Sequence, residues 1–320
     1  MPNLISHIIY AEDILQNLHN KELNDIINQE RALYYLGSVF PDIFYYYFLG
    51  VPHLSHLDGV LHDYPKPRTC EIIKKMVEEL KDLPWPDRAK ISFAMGFITH
   101  IAAENILHPV VFYFTGNYYD TDSRERLLTL ASHRQFEKYL DLYLMRASSK
   151  KLSEFNLGKI IGIPRAKRRR VFDFFSAIIA SISGNSPENI SAAIKRAYPT
   201  LLFLNYLFSN RLFYRLMSFL NLFNNPIVNP YFQLFYPHQP QTPLPEIFNT
   251  PFIYRNPITG EERKTSMPQL RDEVGQIGGS ALNDAYSFIS GRGDEKPLLT
   301  TLNKLIHSGK LKYFSPSRFS

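Results

Sequence analysis

In the stretch GFITHIAAENILHP (96–109), His100, Glu104 and His108 follow one another at steps of four. On a helix that spacing sets three side chains in a row on one face, about 6 Å apart per step. Phe97, Ile98, Ile101, Ala102, Ala103 and Ile106 surround them, so the helix is a candidate for burial. A buried carboxylate is costly unless it is paired or binds a metal, and imidazole and carboxylate are both zinc donors. His100 and His108 stand about 12 Å apart along the axis, too far for one ion with bonds of about 2 Å. Glu104 reaches either neighbour. The spacing therefore points to more than one metal with Glu104 as a bridge, as in hydrolytic sites whose two ions lie about 3.5–4 Å apart.

Other segments offer donors of the same kind. SHRQFEKYL places His133 and Glu137 four residues apart, by itself an ordinary surface pair, but stronger if its helix faces the first across a core. His7 lies among apolar residues, where the plain reading is a hydrogen-bonded core histidine. Asp42 follows Pro41 in VFPDIFYYY, where it could equally cap a turn. VPHLSHLDGVLHDYPKP holds His53, His56 and His62. Taken together, these residues supply enough imidazole and carboxylate for two or three zinc ions.

The elements that must position them read as helical. SHIIYAEDILQNL (6–18) has a 3.6-residue apolar period with Ser6 as a cap, and 20–40 continues helically to Gly37. Further helices are expected over 65–80, over 86–108 with Pro109 ending it, over 123–148, 172–182 and 186–198, and from Met267 to about Ser290. The proline- and aromatic-rich stretch 224–265 reads as an ordered, non-helical excursion. No period-two strand and no repeat is evident, so the expected class is all-α. The expected layout is a helical core over 1–150 and a helical, proline- and aromatic-rich part over 151–320 packed on that core.

Bulk properties narrow the class. The chain has 320 residues, 45% of them apolar and 14% aromatic, enough for a sizeable core. One cysteine, Cys70, excludes an internal disulfide framework. No secretory signal and no run of about 18 apolar residues is visible, so a cytoplasmic location is expected. The net charge of +6 is concentrated in PRAKRRR (164–170), which reads as a solvated segment. The apolar region 198–236 reads as helix packing with a few snorkelling arginines, in preference to an interfacial element.

The sequence resembles the zinc-dependent phospholipase C family, especially members without a signal peptide. The resemblance rests on five motifs in register over about the first 145 residues: MPNLISHIIYAEDIL, GSVFPDIFYYY, LHDYPKPRTCEIIKKM, GFITHIAAENILHP and SHRQFEKYLDLYLM. It implies a multi-helix bundle of the zinc-dependent phospholipase C and zinc nuclease type, with up to three Zn2+ ions. One ion would take Asp42, His62, His100 and Glu104. A second would share Glu104 and take His7, and the third would take His108, His133 and Glu137. His62 is preferred to His53 and His56 because a proline-containing helix start follows it. The family has Asp where this chain has Glu104, and the extra methylene bears on metal spacing and turnover.

The expected activity is phosphodiester hydrolysis of a phospholipid by metal-activated water, with Asp42 orienting or deprotonating the water and Glu104 bridging. Phe44, Tyr45, Tyr46 and Tyr47 would form a substrate wall or pack in the core. Transient contact with a membrane surface fits that substrate. A nuclease on the same site is the rival within this chemistry, with nucleic acid the less favoured partner. A metal-stabilised binding protein without turnover is the rival outside it.

Overall fold

The computed structural model describes residues 4–46, 68–83, 86–117, 122–223, 225, 227–238, 242–304 and 311–316. Among the described residues the chain is all-α apart from one short hairpin. In chain order its helices are α1 (Leu4–Gln16), α2 (Lys21–Gln29), α3 (Arg31–Val39), α4 (Thr69–Lys81), α5 (Arg88–Thr115), α6 (Ser123–Ala147), α7 (Leu157–Ile160), α8 (Arg165–Ser183), α9 (Pro187–Phe208), α10 (Arg211–Asn221), α11 (Val228–Phe232), α12 (Met267–Ile289) and α13 (Glu295–Lys304). A 3₁₀ segment, Phe40–Tyr46, continues from α3. No described helix is long and apolar enough to cross a membrane.

The fold is organised around α5, which is buried along almost its whole length. Asp87 caps its start by accepting from the Lys90 amide at 3.3 Å. The sequence places its end at Pro109, yet the helix continues to Thr115. An internal proline costs about 3 kcal/mol, and burial of Val110, Val111, Phe112 and Phe114, worth about 1.5–3 kcal/mol each, outweighs that. Likewise α9 passes through Pro199 to Phe208. In the opposite sense, the expected continuous helix over 20–40 is broken at Glu30, whose backbone leaves the helical region.

α3 lies directly against α5. A Cβ on Gly37 would sit 2.1 Å from the Phe93 carbonyl oxygen, and one on Gly96 would sit 1.9 Å from that of Tyr34. The two glycines let the backbones touch, which brings the 3₁₀ segment and Asp42 alongside the histidine face of α5. Tyr34 also donates from its hydroxyl to the Ala11 carbonyl at 2.8 Å, tying α3 to α1.

The second half closes over this arrangement. α12 packs on α5 and α1, and Arg271 of α12 forms a two-point ion pair with Asp13 of α1 at 2.6 and 2.7 Å. Ser266 and Ser186 cap α12 and α9. The basic run at 164–170 forms the first turns of α8, where Lys167 pairs with Glu30 and Arg170 with Asp87. Two expectations change. The stretch 224–265 contains α11 and an antiparallel hairpin, β1 (Phe252–Arg255) with β2 (Glu262–Thr265), pairing Phe252 with Thr265. Phe252 and Tyr254 alternate inward and Ile253 and Arg255 outward, a period-two signal only four residues long. The core reading of 198–236 also fails for α10, which buries no residue.

Gly96→Ala tests the backbone contact. Better helix propensity would favour the variant by about 1 kcal/mol, but the clash should dominate, with a net loss of about 1–3 kcal/mol in urea unfolding. An unchanged or raised midpoint would refute the contact.

Candidate metal centre

Four helical segments bring the predicted donors to one place. His7 comes from the second turn of α1, Asp42 from the 3₁₀ segment, His100, Glu104 and His108 from α5, and His133 and Glu137 from α6. They form two groups, His7–Asp42–His100 and His108–His133–Glu137, each with donor atoms within 4.8 Å of one another. Glu104 lies between them, with Oε1 3.1 Å from His7 Nε2 and Oε2 2.8 Å from His108 Nδ1. The longer side chain therefore spans both groups. In the second group Glu137 Oε1 is 3.2 Å from His133 Nε2 and 3.7 Å from His108 Nε2. In the first, His7 Nε2 is 4.0 Å from Asp42 Oδ2. Donors on one tetrahedral zinc stand roughly 3.3 Å apart, within the range these distances span. His62, the remaining predicted ligand, lies outside the described residues, as do His53 and His56.

Outer hydrogen bonds fix two of the imidazoles. His100 Nδ1 is 2.9 Å from the Ser38 carbonyl; a carbonyl only accepts, so Nδ1 carries the proton and Nε2 the lone pair. At His133, Thr115 spends its hydroxyl hydrogen on the Val111 carbonyl at 2.7 Å. Its oxygen, 3.4 Å from His133 Nδ1, is then an acceptor there, again leaving the lone pair on Nε2. Such outer partners orient metal-binding histidines and set their tautomer.

The electrostatics fit a cation. Burial lowers the pKa of His133 despite Glu137, favouring a neutral imidazole whose lone pair faces a carboxylate oxygen. That juxtaposition is repulsive unless a cation lies between. His7 and His100 stack with centroids 3.9 Å apart and planes 17° from parallel. Burial pushes the Glu104 carboxyl up, but His108 and His7 overcome it and hold it well below the usual range. Burial likewise opposes charge on His108, and Glu104 outweighs it and raises the imidazole. Glu137 is pulled down to about 2, burial being overcome by His133 and His108. Among the described residues His7 Nδ1, His108 Nε2 and Glu137 Oε2 are buried without a hydrogen-bond partner. The donor set fits zinc.

The site opens at one end. The Glu104 and His108 side chains are 19% and 14% exposed, whereas those of His133 and Asp42 are sealed. Of the predicted aromatic wall, Phe44 and Tyr46 are buried, Tyr45 is half-buried, and Tyr47 lies outside the described residues. Tyr46 keeps a buried hydroxyl with no hydrogen-bond partner among the described residues. Burial, reinforced by Asp42, raises its pKa and keeps it a donor.

Sequence reasoning missed Asp141. It extends the row His133, Glu137 by one more step of four, so the same periodicity marks it. Its Oδ1 accepts from the Ser6 amide at 2.8 Å and its Oδ2 from the Tyr236 hydroxyl. Ser6 is thus not a cap; its N–H is one of the orphan amides of the first turn of α1, and Asp141 satisfies it beside His7. Thr115 had no sequence signal, because its role depends on how α5 meets α6.

The helical bundle thus sets two imidazole–carboxylate groups on either side of one carboxylate. Residues 6–183 match the family described as "Zinc dependent phospholipase C", and the chain belongs to that family. The match extends past residue 150 into α8. No curated protein and no solved structure gives a match.

Thr115→Val should lower zinc affinity about tenfold or more in competition with a chromophoric chelator, while Thr115→Ser should retain it; equal affinities would dismiss the tautomer argument. Asp141 offers a pH test. Burial raises its carboxyl from 3.8 to about 7. The folded chain then holds a proton that the unfolded chain has released, so its stability contribution is full below about pH 4 and is lost as pH rises through about 7. Between pH 5 and 7, wild-type stability should fall relative to Asp141→Asn by at most about 1.4 kcal/mol per pH unit. A flat difference would show that the carboxyl is not raised.

Proposed function

We propose that this chain is a zinc-dependent phosphodiester hydrolase that releases the phosphorylated headgroup of a phospholipid. The observation that supports it best is Glu104, whose two oxygens reach the two donor groups from one buried helix. His7, Asp42, His100 and Glu104 would hold zinc on one side. Glu104, His108, His133 and Glu137 would hold it on the other. His62 is retained as a further ligand beside Asp42 on the strength of its motif, for two or three ions in all.

Bound zinc supplies a Lewis acid for phosphoryl oxygens and lowers the pKa of water it holds towards neutrality. Asp42, fully buried, would orient that water and accept its proton. Attack at phosphorus in line with the glycerol oxygen expels the diacylglycerol alkoxide, which takes up a proton, and no covalent enzyme intermediate is required. Tyr46 would donate from its hydroxyl to a substrate oxygen. Substrate would enter at the Glu104–His108 end. Family membership supports phospholipid over single-stranded nucleic acid.

The test combines metal analysis with turnover. Purified protein should carry two or three zinc ions per chain and release phosphocholine from phosphatidylcholine in mixed micelles. Glu104→Gln should cut turnover by about a hundredfold or more and reduce bound metal; Glu104→Asp should keep both. Zinc-loaded protein that hydrolyses no phosphodiester would sink the reading in favour of a binding protein. Preferential cleavage of single-stranded DNA would replace phospholipid with nucleic acid.

A further inference from the structure

α10 has its amphipathic pattern turned outward. Leu212, Leu216, Phe219, Leu220 and Phe223 follow the i, i+4, i+7, i+8, i+11 spacing of one helical face, and that face meets solvent: Leu212 is 72% exposed, Phe219 57% and Phe223 70%. The opposite face carries Tyr214, Met217, Ser218 and Asn221, which are partly covered. Tyr214 there packs its ring 5.9 Å from Phe232 and 6.3 Å from His238. Phe203 and Tyr206 of α9, with Ile227 and Tyr231, are further apolar side chains more than half exposed. An exposed apolar helix face of this kind marks an interaction surface.

Charge identifies the occupant. No Asp or Glu stands between Glu188 and Glu246, whereas Lys195, Arg196, Arg211 and Arg215 do. Arg211 and Arg215 flank the exposed face, and neither pairs with a described carboxylate. Their field lowers the pKa of His238, adding to the effect of its burial. A second copy of the chain meeting this patch face to face would bring four arginines together with no acid in the segment to pair them. A bilayer with anionic headgroups supplies both the apolar phase and the negative charge.

We propose that α10 is an interfacial anchor whose Leu212–Phe223 face lies in the headgroup–acyl boundary of an anionic bilayer, with Arg211 and Arg215 at the lipid phosphates. The helix lies on the membrane, as no described helix is suited to crossing it. The choice of a lipid bilayer rests in part on the phospholipid reading above. It also connects the surface to the site: α11, next to α10, is pinned on α6 by Arg134 donating to the Pro230 carbonyl at 3.0 Å and by Lys138 donating to Gln233 Oε1 at 2.6 Å. Through α11 the anchor thus rests on the helix that carries His133 and Glu137. The anchor segment lies beyond the part of the chain that matches the family.

Co-sedimentation of the full chain with phosphatidylcholine vesicles, with and without phosphatidylserine, tests this. Wild type should bind the mixed vesicles and bind pure phosphatidylcholine more weakly, with high salt closing the gap. Leu216→Ser/Phe219→Ser should weaken binding about tenfold or more, and Arg211→Ala and Arg215→Ala about fivefold each on the anionic vesicles only. Both sets should keep turnover of a soluble short-chain phosphodiester. Phe219→Trp, at a side chain 57% exposed, should show indole emission shifting to shorter wavelength on adding mixed vesicles. Failure of wild type to bind either vesicle overturns the anchor, as does a dimer in sedimentation analysis that the Leu216→Ser/Phe219→Ser change dissociates. Vesicle binding without any phosphodiesterase activity keeps the anchor and removes the hydrolase reading; hydrolysis of a soluble substrate without vesicle binding does the reverse.

Discussion

The carboxylate of Glu104, held between His7 and His108 inside an apolar helix, is the constraint from which the rest of the structure follows. A negative charge in such surroundings costs several kcal/mol unless cationic partners meet it on more than one side. Asp42 and Glu137 add two buried acids to the same volume. Four imidazoles offset them only when protonated, and burial opposes protonation of His133. Divalent metal would resolve the conflict, because each ion neutralises two charges while imidazole stays neutral. The same physics explains why the site is built from four separate elements: no single helix face can surround an ion.

Holding those elements at the required distances falls to contacts with little chemistry of their own. The glycine contact between α3 and α5 sets the Ser38 carbonyl against His100. Asp141 satisfies an orphan amide at the start of α1 and so fixes the turn that carries His7. Thr115, on the last turn of α5, sets the proton on His133. Each places a polar atom against a donor residue or its neighbour in the chain, so the donors are oriented before any metal binds. Preorganisation of this kind limits the reorganisation that metal binding must overcome.

The molecule also has a direction. Sealed donors lie deep, Glu104 and His108 stand at the opening, and the helix carrying His133 and Glu137 supports α11 and, through it, the exposed face of α10. Chemistry and surface are therefore two ends of one packed unit.

Local spacing determined much of this protein. Steps of four along α5 and α6 displayed the donor row, the 3.6-residue period marked the helices, and Ser186 and the Met267 start fixed two boundaries within a residue or so. These signals are legible because helix geometry is set by near neighbours. Three things were not legible there. Pro109 and Pro199 do not end their helices, since burial along α5 and α9 outweighs a local penalty that sequence alone makes decisive. Burial itself was undecidable for α10, because an amphipathic period states that a helix has an apolar face and not what that face meets. The pairing of donors into two groups bridged by Glu104, and the roles of Ser38 and Thr115, depend on the rotation and separation of helices far apart in the chain. Only tertiary packing supplies those, because hydrogen bonds and metal ligation act over about 2–3 Å whereas sequence periodicity fixes a side chain's angle on its own helix and nothing about its neighbour.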